Sequence, residues 1–301
     1  MEKVKILKTA LAKVFCLGAG ACLCVAGVAT GAKAFTTHIS CGYSYFKSDV
    51  KNYGTPSSPT ATVKVPVGIN VGISFVGNIF GGKFTIGGKS AYGMFGGSWK
   101  NFATDQYGNY LDSSSVSDWK AQDFEFEVST RYERKVYSWM NKVDFSGIGL
   151  FRYDLRLAGI ELPDSPIPYD NTYELWNTLT LGFGVKAAEK NYTVLGKKLN
   201  FIEEVDLLYP VYASMKTEFQ TAHYNTTWGL WETQDYEPTF NLNGKLGYKI
   251  GLGCQFKSGS VLEAAYEVDN YKGDTQTVSG KTFSVGDSSI KTFEVSYTFL
   301  W

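Results

Sequence analysis

Histidine is nearly absent from this chain of 301 residues, with only His38 and His223 present. That leaves little material for a metal centre or a nucleophile–His–acid constellation, both of which need such groups brought together. Cysteine is equally sparse. Three of the five, Cys16, Cys22 and Cys24, lie in the first 34 residues, leaving Cys41 and Cys254. One disulfide is chemically open to that pair in an oxidising compartment. The strand reading below puts them on non-neighbouring strands, so free thiols serving as small apolar wall residues are expected. Neither sign of charge dominates, with 29 Lys and Arg against 29 Asp and Glu. No basic face of the kind nucleic acid demands is visible, so no nucleic-acid partner and no cofactor is expected. Beyond residue 34 no apolar run is long enough for a transmembrane helix.

The opening of the chain is different in kind. Lys3, Lys5, Lys8 and Lys13 precede an uncharged stretch from Val14 to Gly31, which closes on Ala32-Lys33-Ala34. A basic start, an apolar centre and a small-x-small end are the parts of an export signal. The Gly and Ala content and that cleavage pattern favour a removed signal, residues 1–34, over a retained anchor. A lipoprotein reading of Ala19-Gly20-Ala21-Cys22 lacks the usual Leu three places before the cysteine. The mature chain would then be 35–301, with 24 basic and 28 acidic residues.

Its period is two. In Val63–Phe75 every odd position is apolar, against Lys64, Pro66, Gly68, Asn70, Gly72 and Ser74. Phe240–Phe256 alternates in the same way, with Asn241, Asn243, Lys245, Gly247, Lys249, Gly251, Gly253 and Gln255 on the polar face. Phe293, Val295, Tyr297, Phe299 and Trp301 alternate with Thr292, Glu294, Ser296 and Thr298. Strands this long with one apolar face suit a tilted membrane wall better than a soluble sandwich. Shorter alternating series around Cys41, Ile86, Phe126, Leu155, Leu181, Leu207 and Tyr266 bring the count to ten strands. Eight remains the alternative if the first and the Gly-rich third segment are misread. Only a closed barrel satisfies every backbone group in lipid without helices. The expected fold is therefore an all-β, antiparallel up-and-down transmembrane barrel. Its connections alternate in length: every odd-to-even one, such as Glu218–Thr239, is longer than every even-to-odd one, such as Lys257–Ser260. Short periplasmic turns and long outer loops have that pattern, which puts both termini in the periplasm.

The last strand, Phe293-Glu294-Val295-Ser296-Tyr297-Thr298-Phe299-Leu300-Trp301, resembles the final strand of bacterial outer-membrane β-barrel proteins. In that superfamily a terminal aromatic, usually Phe, is read by the barrel-assembly machinery. The resemblance implies an outer-membrane location and gives Phe299 and Trp301 that role, with Trp in place of Phe. Ten-stranded barrels include the omptin proteases, whose pattern is an Asp-x-His pair on one rim and an Asp pair on the opposite one. Here His38 adjoins the cleavage site, and Thr221 stands where His223 would need an Asp. Asp105, Asp112 and Asp118 are not spaced as a close pair. No enzyme is expected.

Alternation assigns an unusually charged lumen: Lys64, Lys89, Glu125, Glu127, Arg152, Asp154, Arg156, Glu174, Asp206, Lys245, Lys249, Glu263, Glu267 and Glu294. Asp123, Arg131 and Glu204 share the polar faces of their strands. Two readings are open. The charges pair into a plug, as the small bore of such a barrel allows, or they line a narrow path that selects ions or small solutes. Tyr224, Trp228, Trp231 and Tyr236 crowd the Glu218–Pro238 loop as a lid or a recognition surface. The leading expectation is a narrow pore for ions or small solutes. The alternative is a plugged, adhesin-like barrel that binds a host or surface ligand through its loops. Bilayer lipid is the partner common to both.

Overall fold

A sheet without edges needs its last strand to pair with its first. In the computed structural model, residues 35–51, 61–95, 98–100, 120–161, 173–194, 197–225, 227 and 230–300 are described. Their strands are β1 (Phe35–Val50), β2 (Ala61–Ile79), β3 (Gly82–Phe95), β4 (Ser98–Lys100), β5 (Lys120–Trp139), β6 (Val143–Glu161), β7 (Tyr173–Val194), β8 (Lys197–Thr217), β9 (Phe219–Asn225), β10 (Leu230–Tyr236), β11 (Thr239–Gln255), β12 (Val261–Lys272), β13 (Asp274–Val278), β14 (Lys281–Val285) and β15 (Ser288–Leu300). Ten of them form the wall, in the order β1-β2-β3-β5-β6-β7-β8-β11-β12-β15. Every pairing is antiparallel, and Cys41 on β1 lies opposite both Val71 on β2 and Tyr297 on β15. This is the closed ten-stranded barrel expected from the sequence. Eight strands falls away, because β1 and the Gly-rich β3 are full members of the wall. The proposed signal, residues 1–34, lies outside the described residues.

One end of the barrel carries short turns. Phe80-Gly81 joins β2 to β3 with φ of 51° and 74°. Positive φ at both central positions is the turn whose twist matches the strands it joins, and glycine accepts it without strain. Ser279-Gly280 repeats the device at the opposite end, between β13 and β14, with φ of 51° and 78°. The other end carries the long connections, and two of them are not loops. Glu218–Thr239 contains the hairpin β9–β10, and Lys272–Ser289 contains the hairpin β13–β14.

The long alternating series do not keep one face throughout. On β2, Val63 and Val65 are each 1% exposed, whereas Ile69 and Val71 are 63% and 55% exposed. A bulge separates them: Ser44 pairs with Gly68 but Phe46 with Val65, so Pro66 and Val67 share one place in the ladder. On β8 the pairing steps from Leu179↔Tyr212 to Thr180↔Pro210, and on β11 it shifts between Lys245 and Tyr248. Leu207 is accordingly exposed and Met215 buried on β8, while Ile250 is exposed and Phe240 buried on β11. One extra residue turns every later side chain to the other side. Proline suits such positions because it has no N–H for the ladder.

The switch divides the barrel into two zones. Toward the short turns, the outer wall is an apolar belt that includes Ile69, Val71, Phe151, Leu181, Phe183, Val185, Leu207, Ile250, Leu252 and Tyr297, all exposed. Water would not tolerate such a continuous surface, and lipid requires it. Toward the hairpins, the apolar residues go inside. Phe46, Val63, Val65, Trp176, Met215, Phe240, Leu242, Tyr271, Phe283 and Ile290 belong to one buried cluster there.

Candidate functional site: a charged lumen under an apolar cap

Inside the belt the wall turns polar residues inward, since each alternates with a lipid-facing neighbour. Arg152 follows Phe151, Asp206 lies between Val205 and Leu207, Glu267 follows Tyr266, and Glu294 follows Phe293. Three cations organise the centre. Lys89 on β3 contacts Glu294 at 2.7 Å, Glu127 at 3.1 Å and Glu125 at 3.9 Å. Arg152 on β6 sends Nε to Asp154 (2.7 Å), Nη1 to Glu267 and Nη2 to Asp269 (2.8 Å). Arg156 donates to Glu125 and lies 3.6 Å from Asp123, with its guanidinium 4.4 Å from the centre of the Phe46 ring. A second group lies on the short-turn side. Arg131 forks onto both oxygens of Glu204, Lys186 holds Glu133 at 2.9 Å, and Lys249 reaches Glu204 at 3.5 Å and Glu263 at 3.6 Å. Planar two-point pairing gives such contacts their direction as well as their strength.

Two of the lumen carboxyls, Glu174 and Asp206, form no ion pair with a described Lys or Arg. Glu174 is wholly buried and accepts from Trp176 Nε1 (2.9 Å) and Ser48 Oγ (3.4 Å). Asp206, also wholly buried, lies so close to β7 that a Cβ on Gly184 would fall 1.8 Å from its Oδ1. Glycine at 184 is what leaves room for that carboxylate.

At the centre lies a cavity of about 20 Å³, lined by Glu125, Arg152, Asp154, Arg156, Trp176, Thr178, Glu267, Asp269, Tyr271, Ile290 and Thr292. That is space on the scale of a single water molecule. Above it Trp176 packs against Tyr271 with ring centres 5.3 Å apart. Higher still, Phe283 of the β13–β14 hairpin stacks on Phe219 of β9 at 5.0 Å and meets Tyr236 of β10 at 5.2 Å. Phe219 in turn meets Phe240 edge-on at 6.4 Å.

Of the lumen residues expected from sequence, Lys89, Glu125, Glu127, Arg152, Asp154, Arg156, Glu174, Asp206, Lys249, Glu263, Glu267 and Glu294 share this interior. Lys64 and Lys245 do not. Both lie on the hairpin side of a bulge, where the polar series points outward; Lys64 is exposed, and Lys245 pairs with exposed Asp287 at 2.6 Å. Tyr236 is buried in the cap, and Tyr224 and Trp231 are opposite one another in the β9–β10 ladder. Trp228 and Trp301 lie outside the described residues, while Phe299 pairs with Ile39. Sequence reasoning did not pick out Glu133, Lys186 or Asp269 as site residues, nor the aromatic cap formed by Phe219 and Phe283.

The omptin pattern fares no better in three dimensions. His38 lies on β1 opposite Ser74 and Leu300, near the short turns, whereas His223 lies opposite Glu232 in the β9–β10 hairpin at the other end.

No protein-family model matches this chain, and no curated protein matches it. Solved structures do. The outer membrane protease OmpT from Escherichia coli superposes with a TM-score of 0.54 at 10% identity, over 89% of this chain and 97% of that one. This chain has the outer-membrane β-barrel fold. A major outer membrane protein from Thermus thermophilus matches with a TM-score of 0.39 at 12% identity, covering 87% of this chain and 99% of that one. Neisserial surface protein A matches at 0.31 and 11% identity, over 89% of this chain and all (100%) of that one. The likeness to OmpT is one of fold.

Proposed function

We propose that this outer-membrane barrel is a plugged scaffold, anchored in lipid by its belt, that presents its hairpin end as an interaction surface. The long-loop end faces outward in this reading, both termini face the periplasm, residues 1–34 are the export signal, and Phe299 with Trp301 guides barrel assembly. The observation that carries it is the buried aromatic and aliphatic cluster filling the hairpin end of the lumen. An ion moving along the axis would have to cross that dry layer, where an unpaired charge is strongly disfavoured. The ionic groups beneath it already pair across the bore, which suits a strut better than a conduit. Two hairpins packed through Phe219, Tyr236 and Phe283 make a firm base for recognition, since a site on ordered strands loses little conformational freedom on binding. The absence of an Asp-x-His pair at His223 supports a non-enzymatic role.

Deleting Thr221–Asp235 tests the surface role. Binding of intact cells to host or matrix ligands is expected to disappear, while the heat-modifiable gel shift of the folded barrel persists. Unchanged binding with an intact barrel would overturn the assignment of that surface.

A further inference from the structure

The central ionic group does not balance. Among the described residues, Lys89, Arg152 and Arg156 make their ion pairs with seven carboxylates: Asp123, Glu125, Glu127, Asp154, Glu267, Asp269 and Glu294. Three positive charges cannot neutralise seven negative ones, and a surplus of that size in a confined interior needs either protons or another cation. Two further observations favour a cation. Oxygens of Glu125, Glu127 and Asp154 lie within 4.8 Å of one another. Oxygens on opposite sides of one ion are separated by up to twice the metal–oxygen length, roughly 4.6–5.2 Å for Ca²⁺ and about 4 Å for Mg²⁺. Independently, Asp154 and Asp269 each keep one oxygen, Oδ1, buried without a hydrogen-bond partner. Both residues line the water-sized cavity, and the Asp269 side chain is only 9% exposed.

The geometry points to a divalent-cation site of Ca²⁺ size inside the lumen, held by Glu125, Glu127 and Asp154. Asp269 faces the same cavity, which has room for a water to add to the coordination. The ion would act as a structural rivet, tying β5 to β6 inside the lumen. The cap closes the hairpin end, so exchange would take place from the short-turn end, past Lys249 and Glu263. This site is independent of whether the outer surface binds a partner.

The test uses the folded barrel in detergent, stripped with EDTA and then titrated with CaCl₂, MgCl₂ or NaCl at matched ionic strength. Equilibrium dialysis with labelled Ca²⁺ is expected to show one ion per chain. Tm should rise with the logarithm of CaCl₂ concentration, less with MgCl₂ and not with NaCl. Asp154→Asn should weaken Ca²⁺ binding at least tenfold, and Glu127→Gln, which leaves the Arg152 contacts intact, should do the same if Asp154→Asn does not fold. Lys245→Gln, remote from the cavity, should bind Ca²⁺ as the parent does. No retained Ca²⁺ at millimolar concentration, an equal Tm rise in NaCl, or undiminished binding by Glu127→Gln would overturn the site and leave protons as the neutralising charge.

Discussion

Val65 and Ile69 are four residues apart on one strand, share one alternating series, and face opposite sides of the wall at 1% and 63% exposure. The bulge at Pro66–Val67 between them marks where the outer face passes from water to lipid. Cysteines at three positions read this directly. Lys64→Cys is expected to react with an aqueous maleimide, Ile69→Cys only with a membrane-partitioning reagent, and Val65→Cys with neither until the barrel unfolds. Aqueous labelling of Ile69→Cys would place the boundary elsewhere.

Arg152 divides its guanidinium among three carboxylates on two strands, β6 and β12. Removing a buried partner leaves the others uncompensated, so Arg152→Met is expected to cost about 3–5 kcal/mol in denaturant unfolding. Arg152→Lys keeps the charge but cannot span all three, and should fall between the parent and Arg152→Met. Equal stability of all three proteins would remove the network as a stabilising element.

The cap should come loose without the barrel. Phe283→Ala deletes a ring stacked between Phe219 and Tyr236, a change of about 3–5 kcal/mol in a packed core. Because β13–β14 pairs with no wall strand, the loss should appear as proteolytic nicking between Asp274 and Val285. The heat-modifiable shift of the barrel should be unchanged. Resistance equal to that of the parent would mean the stack does not hold the hairpin.

Lys245 is the opposite case. Its hydrogen bond to Asp287 holds that carboxyl below the ordinary aspartate range. A depressed carboxylate contributes stability above its unfolded pKa and loses it as pH falls through the folded value, so any contribution is present at neutral pH and gone in strong acid. Both groups are well exposed, and an exposed pair is worth little. Lys245→Gln is therefore expected to leave unfolding at neutral pH nearly unchanged, and a large loss would place Lys245 in the lumen after all.

The alternation of Ile69 and Val71, of Ile250 and Leu252, and of Phe293 and Tyr297 was enough to read a closed wall from sequence. It also placed Arg152, Glu267 and Lys89 inside. Period two says which face a residue takes, not whom it meets: Lys89 and Glu294 are 205 positions apart, and Arg152 and Asp269 are 117 apart. Those partners come from barrel closure. Alternation alone misplaces Lys64 and Lys245, because the sequence pattern runs unbroken through bulges that turn the backbone over. Pro66 and Pro210 were the available signals, since a proline inside a ladder marks an interruption. The β9–β10 and β13–β14 hairpins escape a period-two pattern because their strands are short and largely polar.

Planar-bilayer recording of the folded barrel tests the closed lumen most directly. A lumen sealed by the cap gives no unitary steps from the parent protein. Stable single-channel steps, with an amplitude altered by Glu267→Lys, would contradict it and make the charged lumen a pore.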